Sequence, residues 1–371
     1  MRIAQVAPLF ESVPPKVYGG TERVVSYLTE ALVALGHEVS LFASGDSQTA
    51  AQLVPVCERA LRLEDLNDYH TPFDVLQLER VLQLSHDFDV VHFHGDCIHY
   101  PLLRRQPIAH LSTFHGRLDV PGLAPLMQEF ADMPVSSIST NQRKPLPFLN
   151  WRGTVYHGLP PTLYRPGDGG GYLAFLGRIS PEKRLDRAID VAVETGIPLK
   201  IAAKVDPVNL AYYEQEIKPR LAHPLVEYVG EINDVEKQAF LGNAIALLFL
   251  IDWPEPFGLA VIESLACGTP VIAYPHGALP EILGDQRAGR LVRSHEQAVT
   301  AVAWAQSMDR TACRALFDAR FTAERMARGY LAIYQNLVTP EVTPAAGAPT
   351  GGELLWPPAT KSEGPRTSSI L

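Results

Sequence analysis

A chain of 371 residues, 46% hydrophobic and 20% charged, is long enough for about two globular domains with sizeable cores. A formal net charge of -9 argues against broad binding to nucleic-acid phosphates, while leaving room for a local basic groove or a small membrane-docking patch. No apolar run approaches the roughly 20 residues of a membrane span; the longest, Ala244 to Ile251, is strand-sized. Cys57, Cys97, Cys267 and Cys313 are scattered without a C-x-x-C pair, so neither a disulfide framework nor a structural metal site is expected. The N-terminal "MRIAQVAPLFE" has too short an apolar core for a signal peptide, and a cytoplasmic location is the expectation.

The first half alternates strand and helix signals. Arg2 to Ala7 reads as a short buried strand, followed by the Pro- and Gly-rich loop "PLFESVPPKVYGG". Thr21 is placed to cap a helix with the apolar face Val24, Val25, Tyr27, Leu28, Ala31, Leu32 and Leu35, which Gly36 closes. Further strands read at "HEVSLFAS", Val90 to Phe93, Ala109 to Phe114, Val135 to Ile138 and Thr154 to Tyr156. "LPPTLYRPGDGGG" (Leu159 to Gly171) is a linker, after which the pattern restarts. It runs through strand Tyr172 to Leu176, helix Pro181 to Thr195, and strands Leu199 to Ala202 and Val226 to Val229. Helix Asp234 to Leu241, strand Ala244 to Leu250, a helix from about Phe257, and strands Pro270 to Ala273 and Arg290 to Val292 follow. Helices His295 to Ser307 and Arg310 to Leu337 complete the order. Repetition of this kind predicts an α/β protein with two Rossmann-like domains facing across a cleft. The expected division is 1–160, 161–320, a helix at 321–337 and a disordered tail at 338–371, where periodic apolar residues cease.

Two stretches carry chemistry. In "GRISPEKR" (Gly177 to Arg184) Ser180 and Pro181 signal a helix start directly after a strand, with Arg178 and Lys183 beside it. Helix N-termini attract anions, so the group reads as a diphosphate cradle; a surface Arg and Lys beside a helix start fit the motif equally well. In "WPEPFGLAVIESLACGTPVIAY" (Trp253 to Tyr274) Glu255 and Glu263 are separated by roughly 10–12 Å of helical rise. That is too far to share a proton, but suits gripping two ends of one hydroxyl-rich ligand, with the Phe257, Gly258 and Leu259 amides facing a phosphate. For an isolated pair the plainer alternative is a Glu near the helix start and a semi-exposed Glu263.

Taken together with "HGALPEIL" (276–283), "VYGGTERVV" (17–25), "STFHG" (112–116), "ISTNQR" (138–143) and "VYHGL" (155–159), the chain resembles the retaining glycosyltransferases of family 4, from Arg2 to about Leu337. The resemblance implies the GT-B fold, with a C-terminal helix crossing back to the first domain. It implies that Glu255 meets the donor sugar, Glu263 holds the ribose, and Arg178 and Lys183 neutralise the diphosphate. Gly19 and Gly20 would bring backbone to the donor phosphate, His115 would lie by the reacting carbon, and the base would rest on Gly230 to Ile232. Lys204 stands where many relatives have small residues, a departure that makes it a further donor-contact candidate. The implied partners are a UDP- or GDP-type sugar and a glycan, lipid-linked or small-molecule acceptor. Neither a metal nor another cofactor is required, because fixed cations can stabilise the leaving diphosphate. Peripheral contact with the inner membrane face is compatible with this reading.

Other features have competing readings. "DFD" (Asp87 to Asp89) matches a metal-binding pattern but precedes a strand, where capping is the simpler role. His92, His94 and Asp96 alternate like zinc ligands yet lack further ligands, so histidines lining the acceptor cleft are expected instead. At the level of function, a phosphorylase or epimerase on the same architecture, or a non-catalytic sugar-nucleotide-binding protein, are the alternatives.

Overall fold

The computed structural model describes residues 1–339 apart from 17, 18, 65, 67, 68 and 285. The tail expected from residue 338 lies, from 340 onward, outside the described residues. The first sheet contains β1 (Arg2–Val6), β2 (Glu38–Ser44), β3 (Gln52–Cys57), β4 (Val90–Phe93), β5 (His110–Thr113), β6 (Pro134–Ser137) and β7 (Asn150–Thr154), in the order β3-β2-β1-β4-β5-β6-β7. The second contains β8 (Tyr172–Arg178), β9 (Leu199–Lys204), β10 (Val226–Gly230), β11 (Ala244–Phe249), β12 (Val271–Ala273) and β13 (Gly289–Leu291), in the order β10-β9-β8-β11-β12-β13. Every pairing is parallel.

Parallel strands covered on both faces are apolar throughout, and β11 ("AIALLF") is buried at all its positions. Alternate residues feed different cores: Leu173 and Phe175 of β8 pack with Ile201 and Ile245, whereas Ala174 packs with Ala202 and Leu247. In each sheet the strand order reverses at one point, β1/β4 and β8/β11. Ligands in such folds bind outside the carboxyl ends of the strands at that reversal.

Helix Ala323–Val338 crosses back onto the first sheet, packing along helix Gly20–Ala34 and burying Tyr330 and Tyr334 completely. A fully buried aromatic side chain contributes roughly 2–3 kcal/mol. The crossing point requires Gly158, because a Cβ there would lie 2.2 Å from the Thr322 carbonyl oxygen.

Several local expectations are corrected. Strand β3 and helix Thr71–Leu84 had no counterpart in the sequence reading, and β7 starts four residues earlier than expected. The first helix is capped by Gly19, and Thr21 lies inside it. Pro181–Lys183 forms a single 3-10 turn, and Arg184, in the left-handed region at φ 52°, interrupts the chain before helix Leu185–Thr195. Ser180 makes no side-chain cap. The long last helix is two, Thr311–Arg320 and Ala323–Val338, parted where Thr322 bridges to Leu159.

Candidate active site

A cleft of about 490 Å³ lies between the carboxyl ends of the two sheets. Its walls include Gly19, Gly20, His115, Arg178, Lys183, Lys204, Ile232, Glu255, Phe257, Gly258, Leu259 and Glu263, so every candidate site residue borders one cavity. Glu255 does not stand alone: Lys183 Nζ donates to its Oε2 at 2.5 Å and Trp253 Nε1 at 2.9 Å. The Lys183 ammonium also sits 4.5 Å from the Trp253 ring centroid. Arg178 lies 3.4 Å from Asp206, which Lys204 reaches at 3.0 Å. Three cations therefore gather at the ends of β8 and β9, each held by a carboxylate before any ligand arrives. Helix Leu259–Ala266 starts beside them with no side-chain cap on Gly258, so its first amides have no intrahelical acceptor.

Glu263 is buried, not semi-exposed, and accepts from Lys237 at 2.8 Å. Lys237 also reaches Asp234 at 3.4 Å; Asp234 in turn binds Tyr164 and, from the first sheet's domain, Arg23. The carboxylate is thus stabilised by a charged network that fastens the two halves together. Glu281 of "HGALPEIL" adds another tie, accepting from the Thr140 amide at 2.8 Å, the Asn141 amide at 2.6 Å and the Tyr156 hydroxyl at 3.1 Å. Ser139 donates to the Pro256 carbonyl at 2.7 Å, and Gln142 donates to the Phe114 and Gly116 carbonyls, clasping the turn that carries His115.

Sequence reasoning missed part of this wall. His157, from the quoted "VYHGL", stacks on His115 with ring centroids 5.2 Å apart and meets Phe257 edge-on at 4.7 Å. Its Nδ1 and that of His115 have no hydrogen-bond partner among the described residues. Burial holds both imidazoles neutral, with the pKa of His115 lowered to about 3 and that of His157 well below its ordinary value. On the first domain's side Glu11, Glu22 and Arg62 also line the cleft. Glu11 pairs with Arg62 at 2.6 Å. Glu22, buried and next to Glu11, has its pKa raised to about 7, chiefly by desolvation. No spacing pattern marks these three; they meet only through the fold.

The metal-like patterns resolve structurally. Asp89 binds the Arg2 amide at 2.8 Å and the Arg2 side chain at 3.2 Å, tying down the start of β1. His92 and His94 are buried in the core instead of lining the cleft, and all four of their ring nitrogens are engaged by protein groups.

Two facing parallel sheets with a cation-lined cleft between them are the GT-B architecture. The model for Glycosyltransferase Family 4 matches residues 18–158, and that for Glycosyl transferases group 1 matches residues 165–314. The D-inositol 3-phosphate glycosyltransferase of Mycobacterium marinum is 29% identical over 180 residues, which is 42% of this chain and 36% of the relative. That of Mycobacterium leprae (strain Br4923) is 30% identical over the same share of this chain and 39% of its own length. The matched region thus spans little more than a third of these curated relatives. Among solved structures, AviGT4, a glycosyltransferase involved in avilamycin A biosynthesis, has a TM-score of 0.68 at 24% identity over 91% of this chain and 98% of its own. Anabaena HepE in complex with UDP and glucose also has a TM-score of 0.68, at 15% identity over 90% and 99%. The chain belongs to the group 1 glycosyltransferases, with family 4 character in its first domain.

Proposed function

We propose that this protein is a retaining, metal-independent hexosyltransferase that moves a sugar from a UDP- or GDP-type donor to a hydroxyl acceptor. The observation that carries the reading is the convergence of Arg178, Lys183 and Lys204 with Glu255 and the uncapped helix start on one cavity. In the reaction the bond between the sugar's anomeric carbon and the diphosphate oxygen breaks, and its electron pair leaves with the diphosphate. Arg178, Lys183 and the helix amides stabilise that developing charge from fixed positions, the work a divalent metal does elsewhere. The acceptor oxygen attacks from the same face and its proton passes to the departing phosphate oxygen, so no covalent nucleophile is needed. Glu255 orients the sugar hydroxyls, Glu263 the ribose, and Ile232 the base. HepE, bound to UDP and glucose on the same fold, supports a nucleotide-sugar donor.

The acceptor is a glycan, a lipid-linked sugar or a small polyol; the named activity of the mycobacterial relatives puts inositol 3-phosphate on the panel to be tested. No helix among the described residues is long and apolar enough to cross a membrane; the reading has a lipid-linked acceptor met peripherally, at the cytoplasmic face. The test is turnover of UDP- and GDP-hexoses by the full chain in chelator, with the product's anomeric configuration read by NMR. Transfer with retention is expected, falling about a hundredfold or more in Arg178→Ala and Lys183→Ala. A strict metal requirement, inverted product, phosphorolysis without nucleotide, or full turnover by both variants would overturn the reading.

A further inference from the structure

Behind the cleft wall a continuous hydrogen-bond chain runs from His115 to the returning C-terminal helix. His115 Nε2 meets His94 Nδ1 at 2.9 Å, and His94 Nε2 meets Gln5 Oε1 at 2.7 Å. Gln5 Nε2 donates to the Tyr334 hydroxyl at 3.1 Å, and that hydroxyl lies 2.6 Å from His92 Nδ1. His92 Nε2 lies 2.7 Å from Thr113 Oγ1, which donates to the Tyr330 hydroxyl at 3.3 Å. Gln5, His92, His94, Thr113, Tyr330 and Tyr334 are all buried, and they come from β1, β4, the residue just after β4, β5 and the returning helix.

Between Gln5 and His115 each neutral imidazole has one donor and one acceptor nitrogen, so the direction of one bond sets the next. The Tyr334 hydroxyl accepts from the Gln5 amide and pairs with His92 Nδ1. That leaves the Gln5 carbonyl oxygen as an acceptor for His94, which must therefore carry its proton on Nε2. Burial keeps these imidazoles neutral, so His94 Nδ1 is a bare lone pair. His115 then donates through Nε2 and its Nδ1 is bare. His115 borders the cleft, and that nitrogen is buried with no partner among the described residues.

We infer that Gln5, His94 and Tyr334 are positioning residues that fix the ring of His115 in the cleft wall as its Nε2–H tautomer, with the buried Nδ1 left as the bare nitrogen. Because His115 borders the cleft, this makes the returning helix, through Tyr334, a support for the site's wall as well as a structural strap. The bearing of this inference on turnover rests on the proposed function; the tautomer does not, because it is a property of the ligand-free protein.

The experiment is 15N NMR of the full chain with ring-labelled histidine, the His115 signals being assigned with His115→Asn. Wild type is expected to show a protonated Nε2 and an unprotonated Nδ1. Gln5→Met and Tyr334→Phe should give mixed tautomers and lose about tenfold in kcat, the worth of one misdirected hydrogen bond, with unchanged affinity for UDP. Gln5→Glu still accepts from His94 and should rescue both tautomer and kcat. A proton on His115 Nδ1 in wild type would overturn the inference, as would a tautomer left unchanged in both variants. Fixed tautomers in a protein that turns over no sugar nucleotide would refute the proposed function and leave the chain's direction standing. Because the wild-type spectrum decides the direction alone, a variant that fails to fold does not protect the inference.

Discussion

Carboxylates in apolar surroundings are costly unless paired, and both Glu255, in the loop before helix Leu259–Ala266, and Glu263, inside it, are paired. Lys183 satisfies the first and Lys237 the second. The contrasting case is Glu22, for which no compensating cation is near enough to cancel its desolvation, and whose pKa rises to about 7 from an ordinary value near 4.5. A carboxyl raised on folding favours the folded state fully below the unfolded value, and this contribution is lost as pH climbs to the folded one. Glu22→Gln should therefore match wild-type stability near pH 4 and exceed it near pH 8, by up to about 3 kcal/mol. Denaturant titrations at the two pH values check this; equal stability at pH 8 would show that Glu22 ionises in the fold without penalty.

At the scale of elements, the loop carrying Glu255 is held by the turn before helix Leu279–Leu283. The Ala278 amide donates to the Glu255 carbonyl at 2.9 Å. Gly277 at φ 60° lets the two backbones touch, and a Cβ there would fall 2.1 Å from the Glu255 carbonyl oxygen. Gly277→Ala should lower the melting temperature by several degrees and reduce turnover together, since strain and clash act on the same loop. Gly95→Ala, with open space around its site, is the control and should change neither. Element order was largely legible in the sequence because parallel strands buried on both faces leave short apolar runs between turn signals. The gaps have physical causes. β3 is half-exposed and contains Pro55, which weakens its strand signal. The apparent helix start at Ser180 failed because Arg184 adopts a left-handed conformation that no local pattern announces. The unbroken periodicity of 310–337 hid a break set by a tertiary contact, the Leu159–Thr322 bridge.

For the whole molecule, the candidate site was legible where a side chain sits in a local motif, as Arg178, Lys183 and Glu255 do. It was not legible where partners lie far apart in the chain. Arg23 and Asp234, Ser139 and Pro256, or Glu11 and Arg62 meet only once two sheets face each other. The motifs "ISTNQR" and "HGALPEIL" prove to supply the ties between the halves, through Ser139 and Glu281. The central claim is that this cleft binds a sugar nucleotide through its fixed cations. The most direct measurement is the melting temperature of the full chain in chelator with UDP-, GDP- and ADP-sugars, for wild type and for the Arg178→Ala/Lys183→Ala double variant. A binding donor raises the melting temperature by mass action, so at least one should shift wild type by several degrees and the double variant by almost nothing. No shift with any sugar nucleotide, or an equal shift in the double variant, would contradict the account.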